Sequence, residues 1–209
     1  MITKNQIVPA QYIYHNKGEY CSFWHQINEI ISVNPRNVLE IGIGWGFTSS
    51  QLRKMGRYDV TTMDINPANN PDIVGDIREL PFPDNSFSVV AAFETLESLP
   101  YEEFIPTLKE MARVSTGTVV ISLPDRTPYW KVMIKLGRRF YVERLIKLPW
   151  SKVKDPDESS IHYWDVSTPS VPLSRIKEDI KAVGLHLHKT YQPFEYTTKR
   201  FFVMKKLGH

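Results

Sequence analysis

The stretch 38–46, VLEIGIGWG, constrains this chain more than any other. An apolar run from Val38 closes on glycines at alternate positions, Gly42, Gly44 and Gly46. Without Cβ atoms, these residues allow a tight turn and let a ligand approach the backbone closely. The run before them suits a strand buried on both faces, as parallel strands are. Phe47 to Met55 then reads as a helix opening directly behind the turn. Its N-terminus would offer free N–H groups and a positive dipole end. Alone, such a turn specifies little, because many α/β folds use one to bind phosphates.

The rest of the chain extends the pattern. Segments 59–65 (DVTTMDI), 72–77 (DIVGDI), 86–93 (SFSVVAAF) and 117–124 (GTVVISLP) read as further strands, with a helix over 101–114. Strands alternating with helices predict a parallel sheet covered on both faces. Ahead of them, Phe23, Ile27, Ile30 and Ile31 recur at helical spacing, so 19–33 is an amphipathic helix that Asn34-Pro35 ends. Residues 1–18 read as an arm. Near the C-terminus, 172–183 reads as a helix that starts with proline and stops at Gly184. LHLHKTYQP (185–193) and KRFFVMKK (199–206) would form an antiparallel hairpin at the end of the sheet.

A chain of 209 residues suits a single α/β domain over 1–209. No run of eighteen apolar residues exists, so no transmembrane helix is expected. The first twenty residues lack the apolar core and cleavage site of a secretory signal. Cys21 is the only cysteine, which excludes an intrachain disulfide or a cysteine metal cage and makes a reducing cytoplasm the expected compartment. No metal site is expected. The net charge of +3 is uneven: 131–154 holds eight basic residues and one acid, Glu143, leaving −4 for the remainder. The basic character is local and does not by itself predict nucleic-acid binding.

Carboxylates flank the glycine turn. Asp64 ends the second strand twenty residues past Gly44. There it could accept both hydroxyls of a ribose, whatever the nucleotide. Glu40 stands two residues before the first glycine, and the glycine spacing is G-x-G-x-G rather than the G-x-G-x-x-G of nicotinamide-binding domains. Asp76 follows the third strand, where a carboxylate could take a hydrogen bond from an adenine amino group. Taken singly, Glu40 or Asp76 would more simply be a cap or a solvated strand end.

With these residues in place, the run GDIRELPFPDNSFSVVAAFETLESL (75–99) resembles the central segment of small class I S-adenosylmethionine (SAM)-dependent methyltransferases, the UbiE-like, type 11 group. The resemblance covers about 38–124. It implies a Rossmann-like three-layer sandwich whose seven-stranded, mostly parallel sheet has an antiparallel C-terminal strand. It also implies SAM as cofactor and a small-molecule methyl acceptor. Carried over residue by residue, it puts Glu40 near the methionine amino group or an ordered water, and Gly42 and Gly44 against the cofactor. Asp64, with Ile65 beside it, would meet the ribose, Asp76 and Ile77 the adenine, and Phe93 or Glu94 the methionine end. The chain departs from the family at Ser88, where an aspartate is common, and at Ser98, where a histidine is common. No role of that histidine carries over.

Methyl transfer needs alignment and exclusion of water more than any obligatory catalytic residue. His162, in SSIHYWDVS, is the candidate base or orienting group, set against a plain packing role in its loop. Asp125 follows the fifth strand as a substrate contact or, more simply, a turn former. Tyr12, Tyr14 and Tyr20 could fold over the site or merely pack the arm. The insert over 125–170 mixes aromatic and basic residues, and its 127–154 part reads as one or two amphipathic helices broken at Gly137. Such a segment would be a lid that sets substrate choice, or an apolar face packed on the sheet with solvated charges. Peripheral membrane contact ranks behind both. An RNA or protein methyltransferase, or a non-catalytic SAM-binding scaffold, is the alternative function. No N/D-P-P-Y/F motif ends the fourth strand, where Phe93-Glu94-Thr95-Leu96 stands, and this disfavours base methylation. A nicotinamide oxidoreductase is disfavoured by the glycine spacing and the terminal hairpin.

Overall fold

Strands and helices alternate from the first glycine turn onward, and the computed structural model describes residues 17–148, 153–157 and 160–206. The main sheet uses β1 (Asn37–Ile41), β2 (Asp59–Asp64), β3 (Ile73–Val74), β4 (Phe87–Phe93), β5 (Ser115–Pro124), β8 (Leu185–Tyr191) and β9 (Lys199–Lys206). Their spatial order is β3-β2-β1-β4-β5-β9-β8. The first five run parallel. β9 pairs antiparallel to β5 and to β8, so the terminal hairpin inserts its last strand between β5 and β8. The expected seven-stranded, mostly parallel sheet with an antiparallel last strand is present.

Helices α1 (Lys17–Ile31), α2 (Phe47–Lys54), α3 (Phe104–Val114) and α4 (Leu173–Ala182) cover the sheet. α3 starts later than the sequence predicts because 101–103 forms a short 3₁₀ turn first. Successive strand residues alternate between two cores. Val38, Val89, Ala91, Val120 and Phe201 pack with Ile30 of α1 and Leu52 of α2. Leu39, Val90, Ile121 and Phe202 pack on the opposite face with Leu108 of α3 and Ile176 of α4. Asn34, at φ 46°, ends α1 near the predicted place.

The insert departs from expectation. Residues predicted to be helical form an antiparallel hairpin, β6 (Tyr129–Leu136) and β7 (Phe140–Lys147), turning at Gly137 with φ 63°. Apolar residues at 130, 132, 134 and 136 carry the two-residue period of a strand. Val132, Ile134, Val142 and Ile146 are β-branched, and Tyr129, Trp130, Phe140 and Tyr141 are aromatic, all residues that favour strands. Met133 and Leu145 had masked that period by also satisfying a helical one. The hairpin shares no strand pairing with the main sheet. No described helix is long and apolar enough to cross a membrane. Tyr12, Tyr14 and Lys152 lie outside the described residues.

Candidate active site

The glycine turn sits where the strand order reverses, with β2 on one side of β1 and β4 on the other. Open α/β sheets bind ligands at such a switch point, beyond the carboxyl ends of the strands. Gly42 has φ 71°, and a Cβ there would fall 2.3 Å from the Thr95 hydroxyl, so only glycine fits. Gly44 has φ 53°, and a Cβ there would meet nothing within 4 Å. Its backbone therefore faces open space that a ligand can use.

Glu40 pairs with Thr62 across β1 and β2, so Glu40 and Asp64 project from the same side of the sheet, that of α2. Asp64 is buried, and its carboxylate spans two loops. It accepts from the Gly44 amide at 3.2 Å, the Asn66 amide at 2.8 Å and the Asn69 side-chain amide at 2.9 Å. Glu40 is 4% exposed. Burial pushes its carboxyl up to about 7, against the opposing pull of the Ser49 hydroxyl and amide. Its Oε2 is buried with no hydrogen-bond partner among the described residues. Such an atom is costly unless a ligand group completes it.

Beyond Asp64, the Gly75 amide donates to the Asp64 carbonyl at 3.0 Å and brings Asp76 alongside. Asp76 accepts from the Arg78 amide at 2.9 Å and from its guanidinium, which holds the carboxyl below the usual range. Ile65 is exposed, whereas Ile77 is buried in the core beside α3 and α4.

On the other side of the turn, Phe93 is buried against Phe201, with ring centroids 6.2 Å apart. Glu94 holds φ 53°, a conformation that costs a non-glycine residue strain and persists only when its surroundings enforce it. Its amide donates to the Ser122 carbonyl at 3.0 Å, and its carboxylate pairs with the Lys199 ammonium at the start of β9. Burial opposes the charge on Lys199, but Glu94 and Glu97 outweigh it and raise its pKa. Glu97 is 1% exposed and burial pushes it up to about 7, while Lys199 and His162 pull it down. Its Oε2 is likewise buried without a partner among the described residues. Glu19, in the first turn of α1, is raised by partial burial and by the field of Glu94.

His162 lies on a loop fastened to this corner. The Tyr163 amide donates to the Glu97 carbonyl at 2.9 Å, and the Trp164 indole to the Leu99 carbonyl at 3.0 Å. His162 Nδ1 is 2.8 Å from Asp165 Oδ1. Arg126 grips the same carboxylate, and these two partners outweigh burial and lower the Asp165 pKa. Asp125 has a structural place: its fully buried carboxylate pairs with Arg200 and accepts from the Thr127 amide at 2.7 Å and hydroxyl at 2.6 Å. Tyr20 is edge-on to Phe47, packing α1 on α2.

The structure thus gathers Glu40, Gly42, Gly44 and Asp64 around one turn, Asp76 next to it, and Glu94 with His162 at the other end. Sequence reasoning missed Glu97, Lys199 and Asp165. An acid inside the apolar run LESL and a lysine opening the strand KRFFVM were the available signals.

Residues 39–121 match the family model described as a methyltransferase domain. The chain is 35% identical over 102 residues to a malonyl-[acyl-carrier protein] O-methyltransferase of Halorhodospira halophila, a match covering 42% of this chain and 34% of that protein. It is 41% identical over 96 residues to a demethylmenaquinone methyltransferase of Listeria monocytogenes, covering 44% and 39%. The chain therefore spans well under half the length of these curated relatives. Among solved structures, a protein from Pyrococcus horikoshii superposes over 99% of this chain and 100% of its own, with TM-score 0.62 and 17% identity. A magnesium protoporphyrin IX methyltransferase from Synechocystis with bound SAM superposes over 91% and 80%, with TM-score 0.57 and 13% identity.

Proposed function

We propose that this chain, which carries a class I SAM-dependent methyltransferase domain, moves the methyl group of SAM to a small-molecule acceptor in the cytoplasm. The observation that carries the reading is the buried, unpartnered Oε2 of Glu40, in the strand that runs into an open glycine backbone. A ligand with a cationic amino group and a ribose fits that set. Glu40 would take the ammonium, Gly42 and Gly44 would lie along the ligand, and Asp64 would exchange its amide partners for ribose hydroxyls. Ile65 would cover the sugar or base, with Asp76 and the Ile77 backbone at the adenine edge. Phe93 and Glu94 would border the methionine end.

When bound, SAM supplies a methyl group activated on a sulfonium. The protein aligns the acceptor and keeps water out. Asp165 orients His162 through Nδ1, leaving Nε2 to accept the proton that an oxygen or carbon nucleophile releases. The basic segment 125–170 would border the acceptor and influence its choice. The malonyl-carrier and menaquinone names of the partial relatives support a small-molecule acceptor.

Isothermal titration calorimetry with S-adenosylhomocysteine (SAH) tests the cofactor half. SAH should bind and raise the Tm, as any native-state ligand does, and NADH should do neither. Asp64→Ala should weaken SAH far more than His162→Ala. No binding of SAM or SAH, or the opposite ordering, would overturn the assignment.

A further inference from the structure

The β6–β7 hairpin presents a largely exposed apolar face among the described residues. Its register puts Trp130 opposite Ile146, Val132 opposite Arg144, Ile134 opposite Val142 and Leu136 opposite Phe140. Paired residues share a face, so seven of these eight side chains form one apolar surface with a single arginine. Leu136 is 65% exposed, Phe140 50% and Ile134 46%. Of the two readings of this segment, a lid or an apolar side packed on the sheet, the second is at odds with that exposure. The opposite face mixes Lys131, Lys135, Lys147 and Glu143 with Tyr129, Met133, Tyr141 and Leu145, and the turn carries Arg138 and Arg139. With Arg144 that makes six cations and one acid, Glu143, over 129–147, a net charge of +5. None of the six forms an ion pair with a carboxylate among the described residues.

We infer that this hairpin is a docking element for an anionic lipid bilayer. Two strands of eight residues give a face of roughly 27 by 10 Å, or about 270 Å². A stable protein partner needs about 800 Å² on each side, so the hairpin face alone is too small to hold a second copy. Like charges of +5 on each copy also oppose self-association. A bilayer asks for neither large area nor shape complementarity. Apolar side chains enter the headgroup boundary while flanking cations meet anionic headgroups, the physics by which basic amphipathic segments lie on membranes. Leu136 and Phe140 adjoin the Gly137-Arg138-Arg139 turn, so the tip offers apolar anchors and cations together.

The hairpin grows from the rim of the candidate site. β5 ends at Pro124, Asp125 and Arg126 join the Arg200 and Asp165 clusters, and β6 begins at Tyr129. Docking would set that rim against the interface. This favours an amphiphilic acceptor, a step that rests on the proposed activity.

Co-sedimentation of the full chain with vesicles tests the docking. Vesicles of phosphatidylcholine and phosphatidylglycerol in equal parts should pull the protein down at low salt. Pure phosphatidylcholine should not, and moderate salt should weaken capture. Leu136→Ser with Phe140→Ser, and separately Arg138→Glu with Arg139→Glu, should each reduce capture by about tenfold or more. Both variants should keep wild-type circular dichroism and SAH affinity. Capture unaffected by either pair, or no capture at low salt, overturns the inference. So does sedimentation equilibrium showing a dimer that the Leu136/Phe140 variant dissolves. Because SAH binding is read separately, failure of docking and failure of the methyltransferase reading remain distinguishable.

Discussion

Glu40→Gln is the perturbation with the most to say about the cofactor site. Glutamine keeps the shape of the side chain and stands in for its protonated form. In the wild type, burial lifts the Glu40 carboxyl from an ordinary value of 4.5 to about 7. At ~1.4 kcal/mol per unit, ionising it in the folded chain costs about 3 kcal/mol relative to the unfolded chain. Between those two values the native state holds a proton that the unfolded state has released. Stability conferred by the neutral form is therefore present at low pH and lost as pH rises through 7. At pH 4, below both values, the variant and the wild type should unfold together. At pH 8 the variant should be more stable by up to about 3 kcal/mol, roughly 6–12 °C in Tm for a chain of this size. Ligand binding should run the other way. An ammonium beside Glu40 favours the ionised form, so wild-type SAH affinity should rise about tenfold from pH 6 to pH 8, as the ionised fraction rises from about a tenth to nine-tenths. Below pH 7, calorimetry in buffers of differing ionisation enthalpy should show proton release on binding. In Glu40→Gln the pH dependence should vanish, and affinity at pH 8 should fall by 10- to 100-fold, the loss of one charge-assisted hydrogen bond of about 1.5–3 kcal/mol. A wild-type affinity flat across this range, or a variant that keeps the slope, would refute the placement of the amino group at Glu40.

Two other substitutions separate neighbouring roles. Glu97→Gln removes the second buried carboxyl raised to about 7; it should also stabilise the chain at pH 8 and not at pH 4, by up to about 3 kcal/mol, while leaving the pH dependence of SAH binding intact. Loss of that dependence in Glu97→Gln would move the amino group from one glutamate to the other. Asp125→Ala strands the buried Arg200 guanidinium; urea denaturation should show a loss of about 3 kcal/mol or more, and a loss near zero would mean the pair is not structural.

The glycine turn, the parallel strands and the terminal hairpin were legible because each rests on a local rule. Apolar runs, glycines at fixed offsets and a Pro-to-Gly helix all act within a few residues. The insertion of β9 between β5 and β8 was not legible, since strand order depends on contacts between distant segments. The insert was misread because its spacing fits both periods, and aromatic and β-branched content decides in favour of strands only once a partner strand is present. Glu40 and Asp64 could be placed by strand parity from the turn. Glu97 and Lys199 could not, because they meet through segments a hundred residues apart.

Those long-range charges differ from the short-range set in what they can do. Asp64 already has three donors, Asp125 a full ion pair, and Asp165 both His162 and Arg126. Satisfied groups hold geometry. Glu40 and Glu97 are the two carboxylates that keep an unpartnered buried oxygen among the described residues, one on each side of the glycine turn. Each is a cost that an apolar residue at the same position would relieve. Glu40 sits where a cofactor amine would complete it. Glu97 feels the charges of Lys199 and His162, both of which pull its carboxyl down against burial. If His162 takes the acceptor's proton, the imidazolium would gain the Asp165 carboxylate at Nδ1 and the field of Glu97.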